Sequence, residues 1–262
     1  MLTLLSPIFA TAALAVGAYM AVWYVVSLAI RRADVADIAW GLGFVLAALA
    51  AILASGGFAL DRASLVFAMV AVWGLRLSWH VFSRNRRKPE DARYRAWRES
   101  WGKTFWWRSL LQIFTLQGTL LLMVVSPVIV IAAARGGALG WLDALGAAVW
   151  LTGFLFESVG DAQLRAYLRQ DPATRPPVMD RGLWRYTRHP NYFGEVTQWW
   201  GIWIIALSVP GGWVGVLGPL TISFLILKVS GIPMLERAFA GNPAFEEYKK
   251  KTSAFFPLPP RG

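Results

Sequence analysis

Long apolar stretches separated by short charged segments constrain this chain more than any other feature of its sequence. A helix needs about 20 mostly apolar residues to cross the hydrocarbon core of a bilayer. Seven stretches are long enough: Leu4–Ile30, Ile38–Leu60, Ala63–Phe82, Phe105–Ala134, Leu139–Gly160, Tyr192–Val209 and Trp213–Ile232. Only 16% of the 262 residues are charged, against about 25% in soluble domains. The sequence therefore predicts an all-α integral membrane protein, a seven-helix bundle that forms one domain over residues 1–262.

The distribution of positive charge predicts how these helices are oriented. Lys and Arg concentrate in the cytoplasmic loops of membrane proteins. With the N-terminus outside, only Arg62 and Arg135 fall in outer loops, and Arg76 lies within a helix. The other basic residues then lie in inner loops and the C-terminal tail, so we expect the N-terminus outside and the C-terminus in the cytoplasm. The first stretch has no basic leader and is followed at once by Arg31 and Arg32, which favours a retained helix over a cleaved signal peptide.

Composition excludes several kinds of site. The chain has no Cys, which excludes disulfides, thiolate nucleophiles and thiolate metal sites. It has two histidines, His80 and His189, which are too few for a multi-histidine metal centre, and we expect no bound metal. The glycines Gly41 and Gly43 lack the third glycine of a dinucleotide-binding fingerprint. The net charge of +11 follows from the asymmetry of the loops, so we expect no nucleic-acid partner.

Ionisable side chains occur inside or beside the apolar stretches, where they are costly and usually face a cavity or a partner. They are Asp34, Asp37, Arg76, His80, Glu157, Asp161 and Glu195. Glu157, Asp161 and Arg165 follow an i, i+4, i+8 spacing and therefore share one helical face. Two interpretations stay open: ion pairs between helices, or a water-accessible pocket towards the inner leaflet. Because so many of these residues lie towards the inner leaflet, the pocket is favoured.

The 15 tryptophans include two informative groups. One group is predicted to form an aromatic belt at the membrane interface: Trp97, Trp101, Trp106 and Trp107. The other group lies deeper and either stacks on a flat ligand or packs in the core: Trp40, Trp73, Trp199 and Trp200.

The predicted inner loop between the fifth and sixth helices is rich in arginine, whose planar guanidinium suits bidentate phosphate binding. Its arginines are Arg165, Arg169, Arg175, Arg181, Arg185 and Arg188. For the earlier basic segment Arg84–Arg98, topology and attraction to anionic lipids are a sufficient explanation. The run Arg181–Glu195 also contains a glycine turn and a proline that leads into a helix, where free backbone N–H groups can receive an anion. This run is therefore a candidate phosphate-binding segment.

The same run resembles the C-terminal signature of the bacterial steroid 5α-reductase-like membrane proteins. Upstream, the segment Glu157–Gln163 is similar to their acidic helix face. Downstream, the segments Ser230–Glu236, Phe245–Tyr248 and Phe256–Pro257 are similar to their tail. The segments Asp37–Gly41 and Trp73–Leu77 add weaker agreement near the N-terminus.

The resemblance implies a seven-helix membrane enzyme that depends on NADPH and is similar to the 3-oxo-5α-steroid 4-dehydrogenases. Its reaction would be hydride transfer to the β-carbon of an enone such as a 3-oxo-Δ4 steroid, with the N-terminal helices (about 1–134) on the substrate side and residues 139–262 on the cofactor side. The residues that would bind the cofactor are Arg76, Glu157, Asp161, Arg165, Arg169, Arg181, Tyr186, His189, Asn191, Glu195, Trp199, Glu236 and Tyr248.

The carbonyl oxygen of an enone needs a hydrogen-bond donor, because negative charge grows there as hydride arrives. The resemblance assigns this role to Asp37, which would have to be protonated, and to Trp73, which stands where the family has a tyrosine. With Trp40 they would bind the substrate, and Glu195 would act at the reacting end of the cofactor. The resemblance further implies a monomer in the bacterial inner membrane that binds a steroid or other lipid enone and membrane lipids, with its active site open to the cytoplasm.

Two other functions stay open. Membrane methyltransferases that use S-adenosylmethionine also have an Arg-His-Pro segment and paired glutamates, but their cofactor is a sulfonium cation without phosphate. An arginine-rich inner loop favours NADPH over that ligand. A lipid-binding or scaffolding protein with purely structural charges is the second alternative, and it predicts little effect of Glu195→Gln.

Overall fold

The apolar stretches fold as helices in the part of the chain that the structure describes, residues 2–86 and 88–261 of a computed structural model. Arg87, in the predicted basic segment, lies outside the described residues. Across the described ranges there is no β-strand, and a single isolated parallel bridge joins Thr187 and Ser253. The prediction of an all-α protein is confirmed for these residues.

The chain divides into two compact units, Met1–Trp141 with Ala206–Gly218 (unit 1) and Leu142–Ile205 with Pro219–Gly262 (unit 2). The helices up to residue 133 are α1 (Leu2–Ile30), α2 (Val35–Ala54), α3 (Arg62–Asn85), α4 (Ala92–Trp101), α5 (Phe105–Ser109), α6 (Leu116–Val124) and α7 (Ser126–Ala133). A 3₁₀ turn (Gly102–Thr104) precedes α5, and a π-helical segment (Leu110–Thr115) joins α5 to α6.

The second half of the chain starts with the longest helix after α1. The helices are α8 (Trp141–Leu168), α9 (Pro190–Ala206), α10 (Leu217–Phe224), α11 (Ile232–Ala238) and α12 (Pro243–Lys251). Short 3₁₀ segments cover Gly182–Arg185 and Gly212–Val216, and a π-helical segment covers Leu225–Val229.

Among the described residues, five helices are long and apolar enough to cross a membrane, and six if a bent pair counts as one. The bent pair is Ala92–Val124 with Ser126–Ala133, which meet at 51°. Pro127, at the start of α7, lies at this bend, where a kink is expected. The remaining predicted span corresponds to α9, which has 17 residues and a length of about 25 Å. The number seven and the orientation therefore stay predictions.

In unit 1, α2 and α3 approach closely through glycine. A Cβ atom on Gly41 would lie 2.5 Å from the carbonyl oxygen of Gly74. The adjacent Ser78 hydroxyl accepts a hydrogen bond from the Leu42 amide and donates one to the Ile38 carbonyl, both at 2.9 Å. The glycine at position 41 thus allows two backbones to meet.

The two arginines of the predicted outer loops hold the turns of unit 1 together. Arg135 forms an ion pair with Asp61 at 2.6 Å and donates to the Ser55 carbonyl at 3.2 Å. Arg62 donates to the carbonyls of residues 136 and 138 at 3.3 and 3.1 Å. Asp61 also caps α3 by accepting from the Ser64 amide. Burial would raise the pKa of Asp61, but the Ser64 amide and Arg135 outweigh this effect and lower it.

Candidate active site

Helices α8 and α9 of unit 2 approach each other through glycines spaced seven residues apart. They are Gly146, Gly153 and Gly160 on α8 and Gly194 and Gly201 on α9. A Cβ atom on Gly153 would lie 2.5 Å from the Gly194 carbonyl oxygen and 2.7 Å from the Gln198 amide nitrogen. Side chains that flank the glycines on these faces are therefore brought together.

The acidic face of α8 meets amide side chains of α9. The Nε2 atom of Gln198 donates to Oε2 of Glu157 at 2.6 Å, and the Nδ2 atom of Asn191 donates to Oδ1 of Asp161 at 3.3 Å. Both carboxylates are buried. The predicted common face of Glu157 and Asp161 is thus observed, and it faces Asn191 and Gln198. Glu195 lies half-buried on α9, between Asn191 and Gln198 in the sequence.

Gln198 is only 1% exposed, and its Oε1 atom has no hydrogen-bond partner among the described residues. A buried acceptor without a donor costs about 1–3 kcal/mol. The N–H group of a ligand bound beside Glu157 can supply the donor that Gln198 Oε1 needs.

Arg188 is the centre of a buried hydrogen-bonded cluster in unit 2. Its Nε and NH2 atoms donate to Oε1 of Glu236 at 2.9 and 2.8 Å. Its NH1 atom donates to the carbonyls of Thr252 and Lys249, and its backbone amide donates to the Ser253 carbonyl at 2.8 Å. Arg188 is one of the candidate phosphate-binding arginines. In the structure it joins the segment before α9 to α11 and the C-terminal tail.

His189 and Glu236, both assigned to the cofactor by resemblance, contact each other. The Nε2 atom of His189 lies 3.0 Å from Oε1 of Glu236. Burial lowers the pKa of His189, and Glu236 opposes this effect only in part. A neutral imidazole donates from the nitrogen that carries the proton, and a carboxylate only accepts, so Nε2–H is the donor here. His189 therefore donates to the same carboxylate oxygen of Glu236 that Arg188 binds.

The other predicted cofactor residues of unit 2 differ in exposure. Arg165, Arg169, Arg181 and Tyr186 are exposed, whereas Trp199 and Tyr248 are buried. The Tyr248 hydroxyl donates to the Trp184 carbonyl, and burial raises the pKa of Tyr248, so the phenol stays protonated. The indole N–H of Trp184 in turn donates to the Gly160 carbonyl at 3.1 Å.

In unit 1, Asp37 is held by two donors from α4. The Tyr94 hydroxyl donates to its Oδ1 atom at 2.6 Å, and the NH2 atom of Arg93 donates to its Oδ2 atom at 3.1 Å. Arg93 is itself anchored by Asp91 at 2.9 Å. Tyr94 and Arg93 are therefore the hydrogen-bond partners of Asp37, and its protonation during the reaction stays a prediction.

The tryptophans predicted near the substrate pack on one phenylalanine. Phe44 lies edge-on to Trp40 at 4.9 Å and to Trp73 at 5.3 Å between ring centroids. Trp73 is only 2% exposed, while Trp40 is half-buried. Arg76, one turn after Trp73 on α3, is half-buried. Trp73 is thus part of the core of unit 1, whereas Asp37, Trp40 and Arg76 are half-buried.

Sequence reasoning missed Tyr94, Arg93 and Gln198. Tyr94 and Arg93 lie in a basic segment that was attributed to topology and lipid attraction. Gln198 is three residues after Glu195 and therefore on the same helical face, a spacing that could have indicated it. The seven-residue spacing of glycines in both α8 and α9 also indicates close helix packing.

Within the residues described, no group of three or more His, Asp or Glu side chains could hold an ion.

The glycine contact between α8 and α9 gives a testable prediction. Gly153→Ala should lower the free energy of unfolding by about 1–3 kcal/mol, because the methyl group meets backbone atoms that cannot move aside. The measurement is SDS-induced unfolding in mixed micelles. Gly17→Ala is the control, since a Cβ atom at Gly17 has nothing within 4 Å and should gain about 0.5–1 kcal/mol of helix propensity. Equal effects of the two substitutions would contradict the glycine contact.

Comparisons with known proteins agree with the resemblance seen in the sequence. The profile of a family described as "Protein of unknown function (DUF1295)" matches residues 23–252. A 3-oxo-5-alpha-steroid 4-dehydrogenase 1 from Bos taurus is 38% identical over 66 residues, which are 25% of this chain and 25% of the bovine protein. The chain thus matches about a quarter of the length of this curated relative. No solved structure matches it. Since the family profile covers most of the sequence, the chain belongs to the DUF1295 family, and the bovine relative supports its likeness to the steroid 5α-reductases.

Proposed function

We propose that this protein is an NADPH-dependent membrane reductase that reduces the enone double bond of a 3-oxo-Δ4 steroid or a similar lipid. The observation that carries the proposal is the polar face between α8 and α9. There, the carboxylates of Glu157 and Asp161 meet the amides of Gln198 and Asn191. The resemblance assigns three of these residues to cofactor binding, all except Gln198. The partial match to a bovine 3-oxo-5-alpha-steroid 4-dehydrogenase 1 supports the same chemistry.

The residues of unit 2 fit the functional groups of NADPH. The unpartnered Oε1 atom of Gln198 can accept from a carboxamide N–H, and Asn191 and Glu195 lie on the same helix. Exposed arginines before α9, among them Arg181 and Arg185, can bind phosphate groups. When bound, the nicotinamide would supply the hydride. The protein's own contribution is to bind and orient it.

We assign the polarisation of the substrate carbonyl to the Asp37–Tyr94 pair of unit 1 instead of Asp37 with Trp73. The Tyr94 phenol keeps its proton at neutral pH, and rotation about one C–O bond turns its O–H from Asp37 towards a substrate oxygen. Asp37 then still has Arg93 as a charged partner. The carboxylate therefore positions the phenol, and the phenol donates the hydrogen bond that stabilises negative charge on the carbonyl oxygen.

Ligand-induced stabilisation tests the proposal directly. At a concentration of 100 times its Kd, a ligand stabilises the folded protein by about 2.7 kcal/mol. We expect NADPH to raise the melting temperature of the purified protein in detergent, and Asn191→Ala to reduce that shift. Stabilisation by S-adenosylmethionine and not by NADPH would show a methyltransferase. No stabilisation by either, together with unchanged stability in Glu195→Gln, would favour a scaffolding role. NADPH oxidation with progesterone-like and sterol enones then tests the reaction.

A further inference from the structure

A continuous helical stretch of unit 1 carries polar side chains on a face that is open in the described chain. The stretch runs from α5 through the π-helical segment that follows it to α6. Leu111 and Leu116 are 53% and 52% exposed there, as expected for a surface in contact with lipid. The same surface exposes Gln112, Thr115 and Thr119. Because polar groups inside a membrane usually face a cavity or a partner, this surface is a candidate binding site.

Gln112 is the polar group of this surface whose side chain is unsatisfied. The Thr119 hydroxyl donates to the Thr115 carbonyl at 2.9 Å and is thus satisfied within its own helix. The Gln112 amide, which can donate twice and accept as well, forms no hydrogen bond with any residue that the structure describes. Since hydrocarbon supplies no hydrogen bonds, a ligand that reaches Gln112 gains them.

Arg108 lies one helical turn before Gln112 and is also without a charged partner. Its side chain is half-buried, and its Nε atom is buried with no hydrogen-bond partner in the described ranges. The contact that the structure gives it is with the Trp107 ring, whose centroid lies 5.4 Å from Cζ. A guanidinium that is withdrawn from water is costly unless a counter-ion neutralises it.

The carboxylates of unit 1 do not supply this counter-ion. Unit 1 has six Asp and Glu residues, and five of them form ion pairs with other arginines. The sixth, Glu99, is exposed on α4 and forms no ion pair with Arg108. The five paired carboxylates are Asp34, Asp37, Asp61, Glu90 and Asp91. An anion from outside the chain therefore fits Arg108.

The surroundings of Arg108 are those of the lipid headgroup region. Trp106 and Trp107 are 60% and 38% exposed, and tryptophan concentrates at the interface between membrane and water. The exposed Lys103 adds positive charge just before α5. Four residues of helix rise about 6 Å, which is comparable to the depth of the ester carbonyls below the phosphate of a phospholipid. Arg108 and Gln112 are therefore spaced to contact both groups of one lipid.

We propose that Arg108 and Gln112 form a binding site for one anionic phospholipid, such as phosphatidylglycerol, on the lipid-facing surface of this stretch. The inference is independent of the proposed function. The guanidinium binds the phosphate, the Gln112 amide N–H donates to an ester carbonyl, and an acyl chain lies along Leu111 and Leu116. Positive charge around the site favours a headgroup without an amine. A second copy of the chain is a poorer occupant, because two-fold symmetry would bring two unpaired arginines together.

The experiment measures the Kd of the full-length protein in detergent for phosphatidylglycerol, by native mass spectrometry of mixed micelles. Arg108→Gln should raise this Kd about tenfold, because a charge-assisted hydrogen bond is lost. Gln112→Leu should raise it about threefold, because a neutral hydrogen bond is lost. Two matched controls should leave it within about a factor of two. Arg95→Gln removes an exposed charge of α4, and Thr119→Val removes a hydroxyl that its own helix already satisfies.

Thermal stability provides a second readout that also shows whether the variants fold. Arg108 and Gln112 have no hydrogen-bond partner in the described protein, so Arg108→Gln and Gln112→Leu should keep the melting temperature of the wild type in lipid-free detergent. Phosphatidylglycerol should raise the melting temperature of the wild type. The same lipid concentration should raise it less in both variants.

Several outcomes would overturn the inference. Equal loss of binding in Arg95→Gln and Arg108→Gln would show diffuse attraction to the basic segment and no discrete site. Unchanged binding in Gln112→Leu would remove the ester contact, and equal affinity for phosphatidylcholine would remove the preference for an anionic headgroup. Competition by glycerol 3-phosphate would show a site for free phosphate. Conversion of a dimer to a monomer by Gln112→Leu, with lipid binding unchanged, would show an interface between copies of the chain.

Discussion

Arg188→Ala is expected to lower the free energy of unfolding by about 3 kcal/mol, because it removes the charged partner of the partly buried Glu236, which then keeps only the hydrogen bond of His189. Glu236 would lose both guanidinium hydrogen bonds, and the carbonyls of Thr252 and Lys249 would lose their donor. The measurement is SDS-induced unfolding in mixed micelles, followed by circular dichroism. Cooperative unfolding at a much lower SDS fraction is the expected result.

Two further variants show whether the geometry or the charge of Arg188 is responsible for its contribution to the free energy of unfolding. Arg188→Lys keeps the charge but cannot bind Glu236 through two nitrogens, so it should recover only part of the stability. Arg169→Ala removes an exposed arginine just beyond α8 and should change the free energy by less than about 0.5 kcal/mol. A similar stability of Arg188→Ala and Arg169→Ala would contradict the central role of Arg188.

Tyr94→Phe is expected to lower kcat for enone reduction by about 10²- to 10³-fold, the usual effect of removing one donor to a developing oxyanion. The Kd for NADPH should change little, because the substitution removes one hydroxyl and keeps the ring. Asp37→Asn should also depress turnover while leaving NADPH binding nearly intact, since it removes the carboxylate that positions the phenol. Both effects are measured by steady-state NADPH oxidation and by cofactor titration of the same preparations.

The control for this pair removes a different tyrosine hydroxyl of unit 1. Tyr24 donates to the Trp106 carbonyl at 3.0 Å and does not contact Asp37. Tyr24→Phe should therefore keep kcat within a factor of two. Unchanged turnover in both Tyr94→Phe and Asp37→Asn would remove the pair from the reaction, and the donor to the carbonyl would then have to be sought elsewhere.

Features that depend on residues close together in the chain could be predicted. Apolar runs form helices because each satisfies its own backbone hydrogen bonds. The helix breaks at Pro127 because proline has no backbone N–H to donate. The common face of Glu157 and Asp161 follows from helical periodicity alone. The count of seven spans depends on α9, which combines polar residues near its start with a length of 17 residues.

Features that depend on residues far apart in the chain could not be predicted. Tyr94 is 57 residues from Asp37, and Gln198 is 41 residues from Glu157. No local pattern says which of several basic or aromatic residues will reach a given carboxylate. Arg188 illustrates this, since its neighbours in the sequence suggest phosphate binding and its partner Glu236 lies 48 residues away.

The amino-acid sequence by itself therefore determined the helices, the membrane class and the face on which the acidic side chains lie, because each follows from the period and polarity of a single segment. Only the tertiary structure decided which partners those side chains have. It paired Asp37 with Tyr94, buried Trp73 in the core, and used Arg188 to hold the C-terminal tail. The physical reason is that hydrogen bonds and ion pairs are selected by distance and burial in three dimensions, and neither quantity is encoded by one segment alone.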